Sequence, residues 1–465
     1  MDAATIPQGI VAVGRQVAEG LWAWARDHRR ATLAEHERGV LELFRRLMGS
    51  GLGAVVAEAT GTAHPAAARL REPCPGCGQR RAPRKPRKRE LLTVCGAVRL
   101  ERPYYYCRPC RRGWAPADAT LGIGPYQAIS AGCREWLALA GAVAPFRDAA
   151  ALLEELAGLG VGSETVRTHA EAAGGLLDLC RREAAGRVEA AREPAGAVDR
   201  AAGLLVVMAD GLHLRYLDGW HEVKVGLVAG CAPGRPAEGA ELGREHALLG
   251  PSYLASRAPA AAFGPLLLAE AARRGALEVV GWEHAPGDDP ALPRVPALAV
   301  LREVVVLGDG APWIWNLAAE HFGRRVEIVD WYHASEHLWA AARALHGAGT
   351  PAAAAWAEAA LDQLWDAGAG PVRRLLEAAE PPDAEAAEAL RLARGYFAAN
   401  AGRMDYPAYR ARGLPIGSGA VESAARHLVQ DRMKRAGMRW SEPGGEAMLA
   451  LCSHVTTHHP RLRAA

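Results

Sequence analysis

The chain has 465 residues, of which half are hydrophobic, and a formal net charge of +3 at pH 7. This length predicts two to four folded units with substantial cores. Charged residues run through the first thirty positions, and no run of about 18 apolar residues is free of charge, which argues against a secretory signal and a membrane span. We therefore expect a cytoplasmic protein that does not contact a membrane.

The first seventy residues are predicted to form a helical region. Apolar residues recur every three or four positions through residues 8–60, which is the spacing of amphipathic helices. The composition then changes sharply, and this marks the end of the region.

Four of the nine cysteines stand in two pairs, Cys74-Pro-Gly-Cys77 and Cys107-Arg-Pro-Cys110. Two residues between thiolates allow a tight turn to present both sulfurs to one tetrahedral Zn²⁺. The alternating β-rich segment between the pairs predicts a hairpin that carries the second pair, so that residues 71–120 form a zinc ribbon. A redox pair or a chance arrangement of thiols is the alternative.

Charge is concentrated in the same segment. Residues 71–112 contain thirteen Lys or Arg and three acids, a local excess of +10, which leaves −7 for the remainder. Such segregation predicts a module that binds a polyanion. We expect residues 80–89 to form a proline-containing loop that projects from the ribbon and contacts DNA through seven cations: Arg80, Arg81, Arg84, Lys85, Arg87, Lys88 and Arg89.

Residues 121–200 have a helical pattern that resembles a helix-turn-helix DNA-binding region. An Ala-rich helix and a Gly-containing turn are followed by Ser163, expected to cap a second helix that exposes Thr165, Arg167 and His169. An ordinary helical hairpin is the alternative.

Beyond residue 200 the pattern becomes that of an α/β fold. Three strands, a helix, a strand, a helix and a strand are predicted in this order, which is that of an RNase H-like core. Residues 334–405 read as helices only, and residues 281–300 form an irregular, proline-rich segment without a place in this scheme. The predicted elements are strands at 203–217, 220–231 and near His246–Leu249, a helix at 256–276, a strand at 302–311, a helix at 313–322 and a strand from 325.

Two aspartates follow apolar β runs. Asp210 ends Leu-Leu-Val-Val-Met-Ala-Asp and Asp309 ends Val-Val-Val-Leu-Gly-Asp, so both are expected at the carboxyl ends of buried strands. Two such carboxylates on neighbouring strands can share divalent cations, Mg²⁺ or Mn²⁺. Each is also followed by glycine, and Asp-Gly is a common turn dipeptide, which is the simpler explanation for either alone.

A third carboxylate is expected from a helix that packs against the sheet. Glu422 lies in the first turn after Gly417-Ser418-Gly419, where a glutamate can also serve only to balance the helix dipole. With two metal ions, three such carboxylates can activate water or a 3′-hydroxyl for attack on a phosphodiester. The basic residues that follow are candidate DNA contacts, or else a solvated face: Arg426, Arg432, Lys434, Arg435 and Arg439.

A different motif lies at residues 333–337, where His333, Glu336 and His337 spell the inverted zinc-peptidase pattern. On a helix these histidines would share a face and could hold one Zn²⁺. However, His333 directly follows an apolar strand, and the pattern requires a helix from that residue onward.

The sequence resembles bacterial insertion-sequence transposases of the Asp-Asp-Glu superfamily, most closely the ISKra group. The resemblance is carried by Cys-Pro-Gly-Cys-Gly with its hairpin at 74–110, Met-Ala-Asp-Gly at 208–211, the Gly-Asp-Gly-Ala-Pro-Trp-Ile-Trp block at 308–315, residues 330–338, and residues 413–441.

This resemblance implies a DNA transposase with an RNase H-like core at 201–335, an all-helical insertion at 336–410 and a last core segment at 411–465. It implies the catalytic, metal-binding triad Asp210, Asp309 and Glu422, and a structural or DNA-positioning role for Asp330 and His333. The implied partners are the terminal inverted repeats and target DNA in the nucleoid, and a homo-oligomer on DNA. A non-catalytic DNA-binding regulator and a metallopeptidase are the alternatives.

Overall fold

The computed structural model describes residues 6–62, 70–190, 203–232, 235–236, 244–283, 295–300 and 302–459. The chain forms two compact units, Met1–Ala170 and Glu171–Ala465. The boundary falls inside the segment 121–200 that the sequence suggested as one region. No helix among the described residues is long and apolar enough to cross a membrane.

The first unit begins with two helices, as predicted for residues 8–60. A capping box marks the start of the second helix. The side chain of Thr32 accepts a hydrogen bond from the backbone N–H of Glu35, and the carboxylate of Glu35 accepts one from the backbone N–H of Thr32. The helices are α1 (Gln8–Asp27) and α2 (Leu33–Ala59).

Five strands follow and carry the cysteine pairs. Each pair lies at a turn between two antiparallel strands, and the predicted hairpin is present as β3 and β4. The strands are β1 (Glu72–Pro73), β2 (Arg80–Arg81), β3 (Arg84–Thr93), β4 (Gly96–Cys107) and β5 (Arg112–Trp114).

The expectation of a projecting loop at residues 80–89 is wrong, because most of this segment is β-strand. Its pairing with β4 shifts register between Arg84 and Arg87, and Pro86 lies within this irregularity. The guanidinium of Arg87 lies 3.8 Å from the ring centroid of Tyr104. These contacts to β4 stabilise an extended conformation that the composition alone does not favour.

Four helices complete the described part of this region: α3 (Pro116–Thr120), α4 (Ala131–Val143), α5 (Phe146–Ala157) and α6 (Ser163–Glu189), of which α6 continues into the second unit. The hairpin of α5 and α6 is present, with Gly158 in the left-handed conformation after α5. Thr165, Arg167 and His169 are half-buried rather than exposed, and Arg167 forms an ion pair with Glu164. These three side chains therefore do not form the exposed surface that was expected on the second helix of a helix-turn-helix.

The second unit contains a mixed five-stranded sheet. The strand order is β10-β7-β6-β13-β14; the first three strands are antiparallel, and β13 is parallel to both β6 and β14. The central residues of β6 and all of β13 are buried, so the core lies on both faces of these strands. The strands are β6 (Leu204–Tyr216), β7 (Gly219–Cys231), β10 (Leu248–Ser256), β13 (Val304–Gly308) and β14 (Arg325–Val329).

Residues 281–300, expected to be irregular, contribute to a separate two-stranded sheet. Strands β11 (Leu277–Glu283) and β12 (Val295–Val300) pair antiparallel, and the residues between them lie outside the described part of the chain. A second short pair consists of β8 (Arg235–Pro236) and β9 (Arg244–Glu245).

Helices flank and follow the sheet. The helix predicted before β13 is α7 (Ala260–Arg273), and α8 (Pro312–His321) connects β13 to β14. The prediction of a helical segment from residue 334 to about 405 is confirmed. It consists of α9 (Trp331–His346), α10 (Pro351–Ala367), α11 (Ala369–Ala378) and α12 (Ala384–Asn400), and α13 (Tyr406–Ala411) follows.

The C-terminal part of the chain returns to the sheet. Helix α14 (Gly419–Ala424) packs against β6 and β7, and continues through a π-helical turn at Ala425–Gln430 into α15 (Asp431–Met433). The helix ends there, so Lys434, Arg435 and Arg439 lie in a loop and not on the expected basic helix. The last helix is α16 (Glu442–His458).

Candidate active site and metal centre

Register brings the two candidate aspartates together. The ladder between β13 and β6 pairs Leu307 with Met208, so that Asp309 and Asp210 stand two residues further on at corresponding positions. Neighbouring strands are about 4.8 Å apart. Asp309 directly follows the last residue of β13, as predicted. The expectation for Asp210 is wrong, because β6 continues to Tyr216 and Asp210 lies in the middle of that strand. Asp210 accepts the Gly211 N–H at 2.7 Å and Asp309 accepts the Ala311 N–H at 2.8 Å.

Glu422 lies on α14, the helix that packs against β6 and β7. Its Oε1 accepts a hydrogen bond of 2.9 Å from the hydroxyl of Ser418 in the preceding loop. The Glu422 side chain is 45% exposed, so part of the carboxylate can contact a ligand from solvent. Among the described residues, the ligand atoms of the three acids do not all lie within 4.8 Å of one another, although the charges of Asp309 and Glu422 act on Asp210.

The electrostatics of Asp210 reflect this crowding. Burial raises the pKa of its carboxyl group, and the negative charges of Asp309 and Glu422 raise it further, whereas the Gly211 N–H and the nearby His333 lower it. Repulsion among carboxylates is relieved when a cation binds between them.

Asp330 follows β14, directly beside this site. Its fully buried carboxylate accepts the backbone N–H of His333 at 2.9 Å, which caps α9, and also the backbone N–H of Ser418. Burial raises the pKa of Asp330, but the hydrogen bonds from His333 and Ser418 outweigh it and the pKa falls below its usual value. Asp330 therefore ties the start of α9 to the loop that carries Glu422.

His333 links Asp330 to the carboxylates. Its Nδ1 lies 3.2 Å from Asp330 Oδ1 and 3.8 Å from Glu422 Oε1. The hydrogen bond to Asp330 is the main cause that raises the pKa of His333 to about 9. This raised pKa favours the imidazolium form at neutral pH, whose positive charge compensates the negative charge of the acids.

Asp330, His333 and Glu422 also satisfy the geometry of a metal-binding group, with one ligand atom each within 4.8 Å of one another. A metal ion bound to His333 would have to displace its proton. Among the described residues, this group includes His333 but not His337. The ring of His337 stacks on Tyr396 with 3.8 Å between centroids, so the two histidines of the peptidase pattern do not converge on one ion.

The helical segment contacts the site through α12. The Tyr396 hydroxyl donates to the Asp309 carbonyl oxygen at 2.7 Å, and Asn400 accepts a hydrogen bond from Trp315 at 3.1 Å. Gly310 has φ +104°, and an added Cβ there would lie 2.7 Å from the Tyr396 ring. Only glycine fits this turn without displacement.

The four cysteines of the first unit form one cluster, which confirms their predicted convergence. Cys74, Cys77, Cys107 and Cys110 each offer a sulfur within 4.8 Å of the others, and the sulfurs of Cys77 and Cys107 are 3.7 Å apart. Sulfurs around a tetrahedral Zn²⁺ with bonds of about 2.3 Å are separated by about 3.8 Å. The cluster could therefore bind a metal ion such as zinc.

Hydrogen bonds within the cluster shift the thiol pKa values in opposite directions, and the hydrogen bond with Cys77 raises the pKa of Cys110. A hydrogen bond from the Cys110 backbone is the main cause that lowers the pKa of Cys107 to about 6. Its thiolate in turn raises the pKa of the Arg81 guanidinium. Arg81 thus lies against the cluster and compensates its negative charge, a role that differs from the DNA contact expected of it.

The other candidate DNA-binding cations divide into exposed and buried groups. Arg80, Arg84, Lys85, Arg87, Lys88, Lys434 and Arg435 are exposed. Arg89 is half-buried and donates to Asp118 and to the Gly124 and Gln127 carbonyl oxygens. Arg432 is only 1% exposed and lies 5.5 Å from the Trp440 ring centroid. The expectation that Arg432 contacts DNA is therefore wrong, because neighbouring side chains cover it.

Sequence reasoning missed Ser418, Tyr396 and Asn400. Ser418 lies between two glycines, four residues before the candidate glutamate, a signal that could have identified it. Tyr396 and Asn400 carry no local signal, since they contact Asp309 and Trp315 only through the packing of α12.

No protein-family model matches the chain, and no curated protein matches it.

Proposed function

We propose that the protein is a DNA transposase that cuts and joins DNA with divalent metal ions held by Asp210, Asp309 and Glu422. The observation that carries the proposal is the alignment of Asp210 and Asp309 on adjacent strands. Glu422 acts on the same carboxyl group, since its charge raises the pKa of Asp210. An oxygen-rich site of this kind suits phosphodiester chemistry with two metal ions.

The sheet supports an RNase H-like core. Three antiparallel strands precede two parallel ones, and their order agrees with the core implied by the resemblance to Asp-Asp-Glu transposases. The segment α9–α12 separates Asp309 from Glu422, as expected of a helical insertion. The metal ions would supply charge stabilisation and an activated water or 3′-hydroxyl, while Ser418 and Asp330 hold the loop that orients Glu422.

The first unit supports binding of DNA. Its cysteine cluster suits a zinc ribbon, and five exposed cations on or beside β2 and β3 can contact phosphates. Arg84 and Arg87 lie over Tyr106 and Tyr104, respectively, which interleaves cations with aromatic rings. This surface would bind the terminal repeats, and a homo-oligomer would bring two ends together.

The test is cleavage of labelled DNA that carries the sequences flanking the coding region, with added Mg²⁺ or Mn²⁺. Metal-dependent nicking is expected for the wild type, and Asp309→Asn or Glu422→Gln should abolish it while end binding stays within a few-fold. The exposed acids Asp362 and Glu358 of α10 provide matched controls, since Asp362→Asn and Glu358→Gln should cleave normally. Full cleavage by either active-site variant would refute the triad. Binding by the wild type without nicking under either metal would favour the non-catalytic regulator.

A further inference from the structure

A small basic cavity lies at the far end of β6 from the carboxylates. Its volume is about 250 Å³, and its walls are the β6–β7 hairpin and the loop after α15. None of the described residues that line it is acidic. The lining includes one aromatic side chain, Trp220, and four cations: Arg215, Lys434, Arg435 and Arg439.

The walls of this cavity are held in place without a ligand. The loop begins with a hydrogen bond of 3.0 Å from the Lys434 N–H to the Gln430 carbonyl oxygen. The loop ends at Trp440, which pairs with β6 through two backbone hydrogen bonds. The Trp440 N–H donates to the Arg215 carbonyl oxygen, and the Leu217 N–H donates to the Trp440 carbonyl oxygen at 2.9 Å. A ligand would therefore bind a preformed site and lose little free energy to ordering of the loop.

Trp220 provides an exposed aromatic surface in this cavity. The side chain is 56% exposed, and the Lys434 ammonium lies 5.7 Å from the ring centroid. Aromatic rings beside cations bind single-stranded nucleic acids, because a base stacks on the ring while the cations contact phosphates. A base inside a duplex is covered on both faces by its neighbours, so only an unpaired base can stack in this way.

The cavity is within reach of DNA bound at the carboxylates. Arg215 is five residues beyond Asp210 along β6, which corresponds to about 17 Å of extended strand. This is the length of about five base-pair steps at 3.4 Å each. Because side chains alternate along a strand, Arg215 points to the opposite face of β6 from Asp210, so a DNA strand would pass around the end of the β6–β7 hairpin to contact both places.

We propose that this cavity, the Trp220 pocket, holds an unpaired nucleotide of the DNA, with its base stacked on Trp220 and its phosphates contacted by Arg215, Lys434, Arg435 and Arg439. The inference rests on the proposed function, because it takes DNA as the substrate. It adds a site for a displaced or frayed strand to the binding of duplex DNA.

The test compares binding of a labelled 12-nucleotide single strand with that of a 12-base-pair duplex, by fluorescence anisotropy of the full chain without added divalent metal. Trp220→Ala should weaken single-strand binding about ten-fold, within the range of roughly five- to 150-fold expected for the loss of one stacked base. Duplex binding should change less than two-fold. Trp220→Phe should retain most of the affinity, and Trp22→Ala, which removes an exposed tryptophan elsewhere, should match the wild type.

A single strand that carries 5-iodouracil adds a direct readout: photocrosslinking should attach it to the peptide that contains Trp220. Unchanged single-strand affinity of Trp220→Ala, or an equal loss for strand and duplex, would overturn the proposal. These outcomes are independent of cleavage. If the protein cleaves DNA but Trp220→Ala leaves single-strand affinity unchanged, only the proposal of the Trp220 pocket is contradicted. If Trp220→Ala selectively weakens single-strand binding but the protein cleaves no DNA, the pocket stands and the proposed transposase activity is contradicted.

Discussion

The hydroxyl of Tyr396 donates a hydrogen bond of 2.7 Å to the backbone carbonyl oxygen of Asp309. The two residues are 87 positions apart, and the contact joins the helical segment to the turn that carries a candidate metal ligand. On the other side of the same turn, the Asp330 N–H donates to the Gly308 carbonyl oxygen at 2.8 Å. The position of the Asp309 carboxylate is therefore fixed from two directions.

We expect Tyr396→Phe to lower the free energy of unfolding by about 1–2 kcal/mol, because the Asp309 carbonyl oxygen loses its donor in a partly buried place. Cleavage should fall several-fold, because the Asp309 turn is held less firmly. Denaturant titration and the cleavage assay measure the two effects. Tyr126→Phe, at a fully exposed tyrosine, serves as the control and should alter neither. Unchanged cleavage in Tyr396→Phe would mean that the contact only joins helix and turn.

His333 should make stability depend on pH. Its pKa is raised to about 9 by the hydrogen bond to Asp330, so protonated His333 stabilises the metal-free fold. This contribution is fully present below the unfolded pKa of about 6.5 and is lost as the pH rises through 9. The stability difference between wild type and His333→Asn should therefore shrink between pH 6.5 and pH 10. Urea titrations at several pH values test this, with the exposed His213→Asn as control. A difference that does not vary with pH would contradict a charged His333.

Much of the second unit is predictable from local sequence. Apolar runs before Asp210 and Asp309 define buried strands, and the glycines before Glu422 mark a helix start. The extension of β3 through residues 84–89 was missed because Arg, Lys and Pro have low β propensity, and its pairing is supported by contacts with Tyr104 and Tyr106. The burial of Arg432 was missed because a cation near a helix end gives no sign of the Trp440 ring that covers it. Local patterns report strand and helix, whereas the side chains around the site come from distant packing.

His454 should make the protein sensitive to acid. Burial is the main cause that lowers the pKa of this side chain to about 4, and the neighbouring His458 and His459 add to it. Because the unfolded chain binds a proton at about pH 6.5 and the folded one does not, stability should decline as the pH falls from 6.5 to 4. His454→Gln should flatten this part of the profile in thermal melts. His213→Gln, at an exposed histidine, should leave it unchanged, and a wild-type profile that is already flat would refute the assignment.

The cysteine cluster predicts a bound metal ion that stabilises the first unit. Cys74→Ser should release it and unfold the strands around the cluster, since structural zinc contributes directly to folding. Elemental analysis and circular dichroism of the purified protein measure both effects. Cys180→Ser, at an exposed thiol outside the cluster, should retain the metal. Equal metal content in Cys74→Ser and the wild type would refute the four-cysteine site.

The exposed cations of β3 should determine how strongly DNA binding depends on salt. Each phosphate contact contributes about 0.9 to the slope of log K against log salt concentration. Replacing Arg84, Lys85, Arg87 and Lys88 together by alanine should therefore reduce the slope by up to about 3.6. Because Arg84 and Arg87 also contact Tyr106 and Tyr104, circular dichroism must show that the variant remains folded. Arg391→Ala, at an exposed arginine of α12 paired with Glu388, should leave the slope unchanged. Arg432→Ala should differ from the four replacements and from Arg391→Ala. Because it removes a buried side chain, the free energy of unfolding should fall by about 2–4 kcal/mol. The dependence of DNA binding on salt should stay the same for the protein that remains folded. A slope that is insensitive to the four replacements would exclude this strand from the DNA interface.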